Sequence, residues 1–412
     1  FGFYIVIQSF FKDNELSILK SIFYIKFIFF FISTSYFFEK FQISLENLFR
    51  FYLLLVFLFS IDLSIQFIFD KNLFGLPCYM DCQRFGGLFG EELVAGSFLF
   101  FFGLVANSYF LIQKKINLFF LTFLILSLLV FITGDRTPFI SIIILVLLNL
   151  IFNRHIRLKI FYALLIITII FTIFANFSKV INQRYISDIK NMLHSTELNS
   201  VSLRFQITEY RKELSRLDKE ILSNKEKNID NKKNYKDLEI IKDEIPRMLI
   251  RLEKVERIEQ FRKNEKWYYK FLDTAYGAHY MAALYSIKDN LIFGTGLRSF
   301  RIECKKYDFI NSLNVDLRCS THPHNLHLEI LSEVGLTGYI LLLISIFFLI
   351  LKFKKKNIST NLNIYLLCIF LTLIFPFKPS GAFFSSWAGF IFWYSFAILN
   401  FTVSSKNKKF VS

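Results

Sequence analysis

Residues 117–133 read NLFFLTFLILSLLVFIT, an apolar run without a single charged side chain. About 20 residues of this kind, wound as a helix, cross the hydrocarbon core of a bilayer. No water is available there, so the backbone must satisfy its own hydrogen bonds, and an α-helix does so within one segment. The run therefore predicts a membrane-spanning helix.

Similar runs recur along all 412 residues and predict an all-α polytopic membrane protein. Residues of the set AVILMFWYC make up 54% of the chain, more than a soluble globular protein can hide behind a polar exterior. The chain begins with Phe1 inside an apolar run, and we expect further spans upstream. We predict about nine to ten spans, at 21–38, 51–69, 93–113, 117–133, 137–153, 158–177, 328–351, 360–376 and 383–401, with a partial one at 1–11.

Lysine and arginine in the short loops set the orientation, because such residues concentrate on the cytoplasmic side. The basic loops contain Lys40, Arg50, Lys114, Lys115, Arg154, Arg157, Lys159, Lys352 and Lys354. We therefore predict spans in 1–177, a large outer-face loop at 178–325, three spans in 326–401 and a basic cytoplasmic tail at 402–412. Much of the formal charge of +16 comes from the basic residues of the predicted cytoplasmic loops. The net charge therefore gives no reason to expect nucleic acid as a partner.

A charged segment at about 203–271 lies inside the outer loop. Its apolar residues recur at alternating spacings of four and three, first from Leu203 to Ile221 and again from Leu238 to Val255. Two heptad runs around a polar turn predict an antiparallel helical hairpin, kinked in its second arm at Pro246. This hairpin fits a solvated structural insertion, or an arm that binds a partner or reaches the substrate.

Four cysteines fall on the predicted outer face. Thiols in an oxidising compartment suggest disulfides, most simply Cys304–Cys319 within the loop. Cys78 and Cys82 are close in sequence, so a bridge between them needs a tight turn. The sequence leaves the connectivity open.

The motif that carries chemistry stands where the outer loop re-enters the membrane. His324 and Asn325 are followed by nine residues and then by Gly335-Leu-Thr-Gly338. Asn325 is suited to cap the incoming helix. His324 then lies just above the membrane surface, where an imidazole accepts a proton near neutral pH. The glycines, one turn apart, allow a neighbouring helix to approach closely.

This His-Asn-x9-Gly-x-x-Gly pattern resembles the signature of the O-antigen ligase and O-antigen polymerase superfamily. The segment Arg84-Phe-Gly-Gly-Leu-Phe-Gly90 looks like the Arg-x-x-Gly-x-Phe element of the family. Gly134-Asp-Arg-Thr137 stands in the place of its Ser-Arg element, with an aspartate instead of the serine.

Further along the chain, residues 289–300 are similar to the Gly-x-Gly segment of the family and contain Gly294 and Gly296. The layout agrees too, with a large outer loop followed by three spans.

The resemblance implies a glycosyltransferase of the bacterial inner membrane, active on its periplasmic face. Such an enzyme moves a glycan from an undecaprenyl-pyrophosphate carrier to an acceptor sugar. An O-antigen ligase uses lipid A–core as acceptor. The alternative is an O-antigen or exopolysaccharide polymerase, whose acceptor is another repeat unit. The resemblance implies no cofactor and no metal.

The roles of individual residues follow from the same resemblance. His324 is the base for the acceptor hydroxyl. Arg136 and Arg298, then Arg204 and Arg84, are the pyrophosphate clamps, since guanidinium binds phosphate in a bidentate fork. Arg204 takes this role if the hairpin is an insertion whose ends come back together.

Two other interpretations compete with this one. Cys319, His322, His324 and His327 lie close enough in sequence to suggest a zinc site, but Pro323 and the short spacing make a closed site awkward. A polysaccharide or lipid transporter or flippase would also be polytopic. Transporters place polar groups in their spans, and these spans are poor in charge.

Overall fold

The computed structural model describes residues 1–11, 15–41, 43–92, 94–177, 182–187, 200–226, 232–261, 271–272, 274–307, 317–355 and 361–404. It is 79% helical and has no strand in these ranges, which confirms the all-α prediction. Residues 402–404 of the predicted basic tail belong to the last helix, and its residues 405–412 lie outside the described residues.

The first part of the chain forms apolar helices joined by short turns. A π-helical turn, Leu99–Gly103, joins α4 to α5. The helices are α1 (Gly2–Phe10), α2 (Glu15–Lys40), α3 (Leu45–Phe69), α4 (Ala95–Phe98), α5 (Leu104–Ile112), α6 (Ile116–Ile132), α7 (Arg136–Phe152) and α8 (Arg157–Phe177).

The second part begins with two long charged helices and ends with apolar ones. A π-helical turn at Gln183–Ser187 precedes it. The helices are α9 (Ser200–Glu226), α10 (Lys232–Phe261), α11 (Ala275–Asp289), α12 (Phe300–Glu303), α13 (Leu326–Lys355), α14 (Asn361–Leu373) and α15 (Ser386–Ser404).

The described residues contain 5 helices that are long and apolar enough to cross a membrane. They are Ser17–Lys40, Leu45–Phe69, Ala95–Ile112, Leu326–Phe353 and Ser386–Val403, and α6, α7 and α14 are shorter apolar helices. The transmembrane character is thus supported, but the predicted count of nine to ten spans is not confirmed. The shorter helices have 17, 17 and 13 residues, fewer than the roughly 20 that a perpendicular span needs.

The outward faces of these helices carry large apolar side chains. Phe29, Phe57, Leu121 and Phe347 are all exposed, whereas Phe49 is completely buried. Water would make such wide apolar faces unfavourable, but lipid does not. Helices α2, α3, α6 and α13 therefore present large apolar side chains outward.

The chain divides into two compact units. The first comprises residues 1–189, 286–300 and 321–412, and the second comprises 190–285 and 301–320. The first unit contains the apolar helices and one continuous hydrophobic core. The predicted outer loop is therefore not one structural block, because its segment 286–300 belongs to the first unit.

The second unit contains the predicted hairpin, formed by α9 against α10. Leu217, Ile221, Leu238 and Ile241 pack together in its seam, at the positions that the heptad pattern gives. Helix α10 continues through Pro246 from Lys232 to Phe261. This unit also contains the Cys304–Cys319 disulfide, with Cα atoms 5.3 Å apart.

The segment after α3 is held by polar side chains that α3 buries. Asp62 is 1% exposed and accepts hydrogen bonds from Leu73 N at 3.1 Å and Asn72 Nδ2 at 3.3 Å. Gln66 Oε1 accepts from Gly87 N at 2.7 Å. These bonds fix the segment that carries Arg84, and the structure also bridges Cys78 and Cys82 within it.

Candidate functional site

The helix α13 begins at the His-Asn motif with a side-chain cap. Asn325 Oδ1 accepts hydrogen bonds from His327 N at 3.0 Å and Leu328 N at 3.1 Å, which satisfies two of the free donors of the first turn. Its Nδ2 donates to Pro376 O at 2.8 Å. Asn325 therefore caps α13 and also ties it to the segment 374–385, which connects α14 to α15.

His324 occupies the turn just before this cap. Its φ of 56° lies in the left-handed region, and its carbonyl accepts a hydrogen bond from Ser380 N at 2.9 Å. The imidazole is half-buried, and its centroid lies 4.1 Å from that of His322. The carbonyl of His324 and the side chain of Asn325 are thus both hydrogen-bonded to the connecting segment.

The two neighbouring histidines have local partners. His322 contacts Thr321 Oγ1 through Nδ1 at 2.9 Å and Ser380 O through Nε2 at 3.2 Å. His327 contacts Tyr339 Oη at 2.8 Å and Ile374 O at 2.9 Å. Cys319 is in the disulfide. Neither the Cys319 sulfur nor the His327 nitrogens present a free ligand atom for the zinc alternative.

Two buried carboxylates one helical turn apart on α13 each hold a separate loop. Glu329 accepts from the backbone amides of Phe383 at 2.9 Å and Phe384 at 3.4 Å. Glu333 accepts from the amide of Arg298 at 2.6 Å and that of Phe300 at 3.4 Å. Sequence reasoning missed both, although two acids four residues apart at the start of an apolar span are themselves a signal.

The glycines hold a close backbone contact between α13 and the segment 289–300. Leu336 N donates to Leu291 O at 2.8 Å, and Gly296 N donates to Glu333 O at 2.8 Å. A Cβ on Gly335 would lie 2.4 Å from Ile292 O, and one on Gly294 would lie 2.5 Å from Gly335 N. Only glycines fit on both sides of this contact.

The structure corrects the expectation for Gly335. Its φ of 71° and ψ of −178° interrupt α13, and the contact that it admits is with a loop rather than with a neighbouring helix. Gly338 does face a helix, since a Cβ there would lie 2.8 Å from Tyr4 Cε1 of α1. The reason for the difference is the left-handed φ, which α-helical glycines do not have.

Three arginines gather around the start of α7. Arg84 Nη1 lies 3.9 Å from Asp135 Oδ1. Arg136 Nη2 donates to Arg184 O at 2.7 Å, and Arg184 Nε donates to Gly134 O at 3.0 Å. Arg184 is 7% exposed and was missed by sequence reasoning, because nothing in the outer-loop sequence separates it from other arginines.

The electrostatics of this cluster centre on Asp135. Burial raises the pKa of its carboxyl, while Arg84 and the Gly96 amide, whose nitrogen lies 3.0 Å from Oδ2, lower it. A cavity of about 170 Å³ beside it is lined by Arg184, Gly134 and Asp70, among others. The three guanidinium groups of Arg84, Arg136 and Arg184 outnumber the two carboxylates nearby, Asp135 and Asp70, which suits an anion.

The remaining candidate arginines lie elsewhere. Arg298 is half-buried in the first unit, with a φ of 57° and its amide on Glu333. Arg204 is exposed in the second unit, where its Nε donates to Glu256 Oε1 at 3.0 Å. The first unit thus contains His324, Arg84, Arg136 and Arg298, and the contacts described for Arg204 belong to the hairpin.

No family model matches the chain, and no curated protein or solved structure matches it either. The resemblance to the O-antigen ligase and polymerase superfamily therefore rests on the sequence motifs alone.

Proposed function

We propose that the protein is a membrane glycosyltransferase of the O-antigen ligase type, which moves a glycan from an undecaprenyl-pyrophosphate carrier to an acceptor hydroxyl. The observation that carries this proposal is the fixed His324–Asn325 turn at the entry of α13. Hydrogen bonds from Ser380 and to Pro376 hold its backbone and its cap. A half-buried imidazole on a rigid turn suits a general base.

The proposed reaction needs mainly a base for the acceptor hydroxyl and cations for the pyrophosphate. The acceptor oxygen attacks the anomeric carbon, the bond from that carbon to the pyrophosphate oxygen breaks, and the acceptor proton passes to the His324 imidazole. The pyrophosphate leaves with the bonding electron pair. Arg136, Arg84 and Arg298 would stabilise its charge, and Arg184 joins them as a fourth candidate from the same unit.

The setting supports the same proposal. A substrate attached to a polyprenyl lipid remains in the membrane. The protein has helices that suit a multi-pass membrane protein, so it could meet such a substrate there. We place the protein in a bacterial inner membrane with His324 on the periplasmic side, as the basic loops predict.

The decisive experiment is glycan transfer from purified lipid-linked donor by the full chain in detergent, with EDTA present. Replacement of His324 by Ala should lower the rate about 100-fold or more, the usual effect of losing a positioned base. His155→Ala is the control, since His155 lies in the turn between α7 and α8, away from the motif.

Two results would contradict the assignment. An unchanged transfer rate in His324→Ala would exclude His324 as the base. Full inhibition by EDTA that zinc reverses, with equal damage from His322→Ala and His327→Ala, would replace the base by a metal centre.

The acceptor is tested separately, in a deletion strain. Polymer that accumulates on the carrier lipid indicates the ligase, whereas single repeat units on lipid A–core indicate the polymerase.

A further inference from the structure

A cavity of about 120 Å³ lies within the first unit, beside the motif and the arginine cluster. Its lining includes Leu326, two residues after His324, and Thr137, next to Arg136. The rest of the wall comes mainly from aromatic and aliphatic side chains such as Phe100 and Phe383. This volume is enough for several waters or a phosphate group.

One basic residue belongs to this largely apolar lining. Lys378 lines the cavity and is only 6% exposed. None of the described residues in the lining is acidic, and no described carboxylate forms an ion pair with Lys378. Burial lowers the pKa of its amine to about 8, so the amine still carries a proton at neutral pH. An uncompensated buried charge is costly, which indicates that a ligand compensates it.

Two further polar atoms of the same lining lack partners. Ser380 Oγ and Trp387 Nε1 are buried and accept or donate no hydrogen bond within the described residues. An indole N–H and an ammonium are donors only, and a hydroxyl can donate as well. Three unused donors, with no acidic side chain among the described lining residues, define a site for an anion.

We propose that this cavity is a phosphate-binding site in which Lys378, Ser380 and Trp387 hold a phosphate group attached to an apolar chain. The donors recognise the phosphate oxygens, and the aromatic walls contact the chain. The inference rests on the proposed function only for the identity of that ligand as a polyprenyl diphosphate, and it adds three binding residues outside the arginine cluster.

The test is equilibrium binding of glycan-free undecaprenyl diphosphate to the purified full chain in detergent, beside a parallel titration with inorganic pyrophosphate. Lys378→Gln should weaken binding of the lipid about tenfold or more, because a charge-assisted hydrogen bond is lost. Trp387→Phe keeps the ring and removes only the N–H, and it should weaken binding about fivefold. Lys71→Gln, at an exposed lysine, should leave the affinity unchanged.

Each alternative outcome contradicts a stated part of the proposal. Wild-type affinity for the lipid in both Lys378→Gln and Trp387→Phe would overturn the site. Equal affinity for inorganic pyrophosphate and the lipid, equally dependent on Lys378, would overturn the role of the apolar chain. Since the probe has no glycan, a protein that binds it through Lys378 but transfers nothing would refute the proposed function and leave this inference standing.

Discussion

Two candidate site residues, His324 and Arg298, have left-handed backbones, with φ of 56° and 57°. Such a conformation costs a non-glycine residue about 1 kcal/mol or more, and it persists only where the surroundings hold it. Ser380 N holds the carbonyl of His324, and the Glu333 carboxylate holds the amide of Arg298. The strain at both residues is therefore maintained by contacts to other elements, as is common at functional sites.

Replacement of Lys378 by Met should have opposite effects on protein stability and on binding of the lipid. The pKa of Lys378 falls from 10.5 to about 8 through burial, so the ligand-free protein carries a destabilising charge. Lys378→Met keeps the length and removes the charge, and it should raise the free energy of unfolding by about 3 kcal/mol at pH 7. Thermal unfolding in detergent measures this gain, while binding of the lipid probe should weaken.

The pH dependence has a defined sign. Between about pH 8 and 10.5 the unfolded state binds more protons at Lys378 than the folded state, so wild-type stability rises with pH towards that of Lys378→Met. The surrounding elements carry the same charged and titratable groups in the wild type and in Lys378→Met, namely Asp135, Arg136, Glu329 and His322. The difference in unfolding free energy between the two proteins therefore reports on Lys378 alone. A variant less stable than wild type, with a constant difference over this range, would contradict the burial argument.

At the scale of elements, the interrupted helix α13 organises the motif. Its first part, from Leu326 to Val334, holds one loop through Glu329 and another through Glu333. Gly335 then breaks the helix so that the backbone of Ile292 to Gly294 fits against it. The motif is therefore a framework that positions His324, and the spacing between Asn325 and Gly335 sets the length of its first part.

Gly335→Ala should destabilise the protein by about 3 kcal/mol or more, because a Cβ would overlap Ile292 O in addition to the unfavourable φ. Gly75→Ala is the matched control. Gly75 has a φ of 78° but open space around it, so only the conformational cost of about 1 kcal/mol applies. Thermal unfolding of both variants measures the difference, and equal midpoints would show that the close backbone contact contributes nothing.

At the scale of the whole molecule, the basic loops make a prediction about topology. A reporter that is active only outside the cytoplasm should be active when it is fused after Ile310 and silent when it is fused after Lys355, because lysines mark the cytoplasmic side. Reporter activity normalised to the amount of fusion protein is the measurement. The opposite result would place His324 in the cytoplasm and exclude a periplasmic reaction.

The sequence by itself determined the helical membrane class, the heptad seam of the hairpin and the cap at Asn325. These features depend on local periodicity or on neighbours within a few residues, which a sequence displays directly. It also provided the motif residues His324, Gly294 and Gly335, although not the reason for the glycines.

Only the tertiary structure decided which distant residues share a site. Arg136 donates a hydrogen bond to the carbonyl of Arg184, 48 residues further along the chain. Lys378, in the segment between α14 and α15, lines the cavity. The tertiary structure also divided the predicted outer loop, since 286–300 belongs to the first unit and the hairpin with Arg204 to the second. Burial and long-range hydrogen bonds leave no periodic signal in a sequence, so an arginine or lysine that they make special looks like any other until the chain is folded.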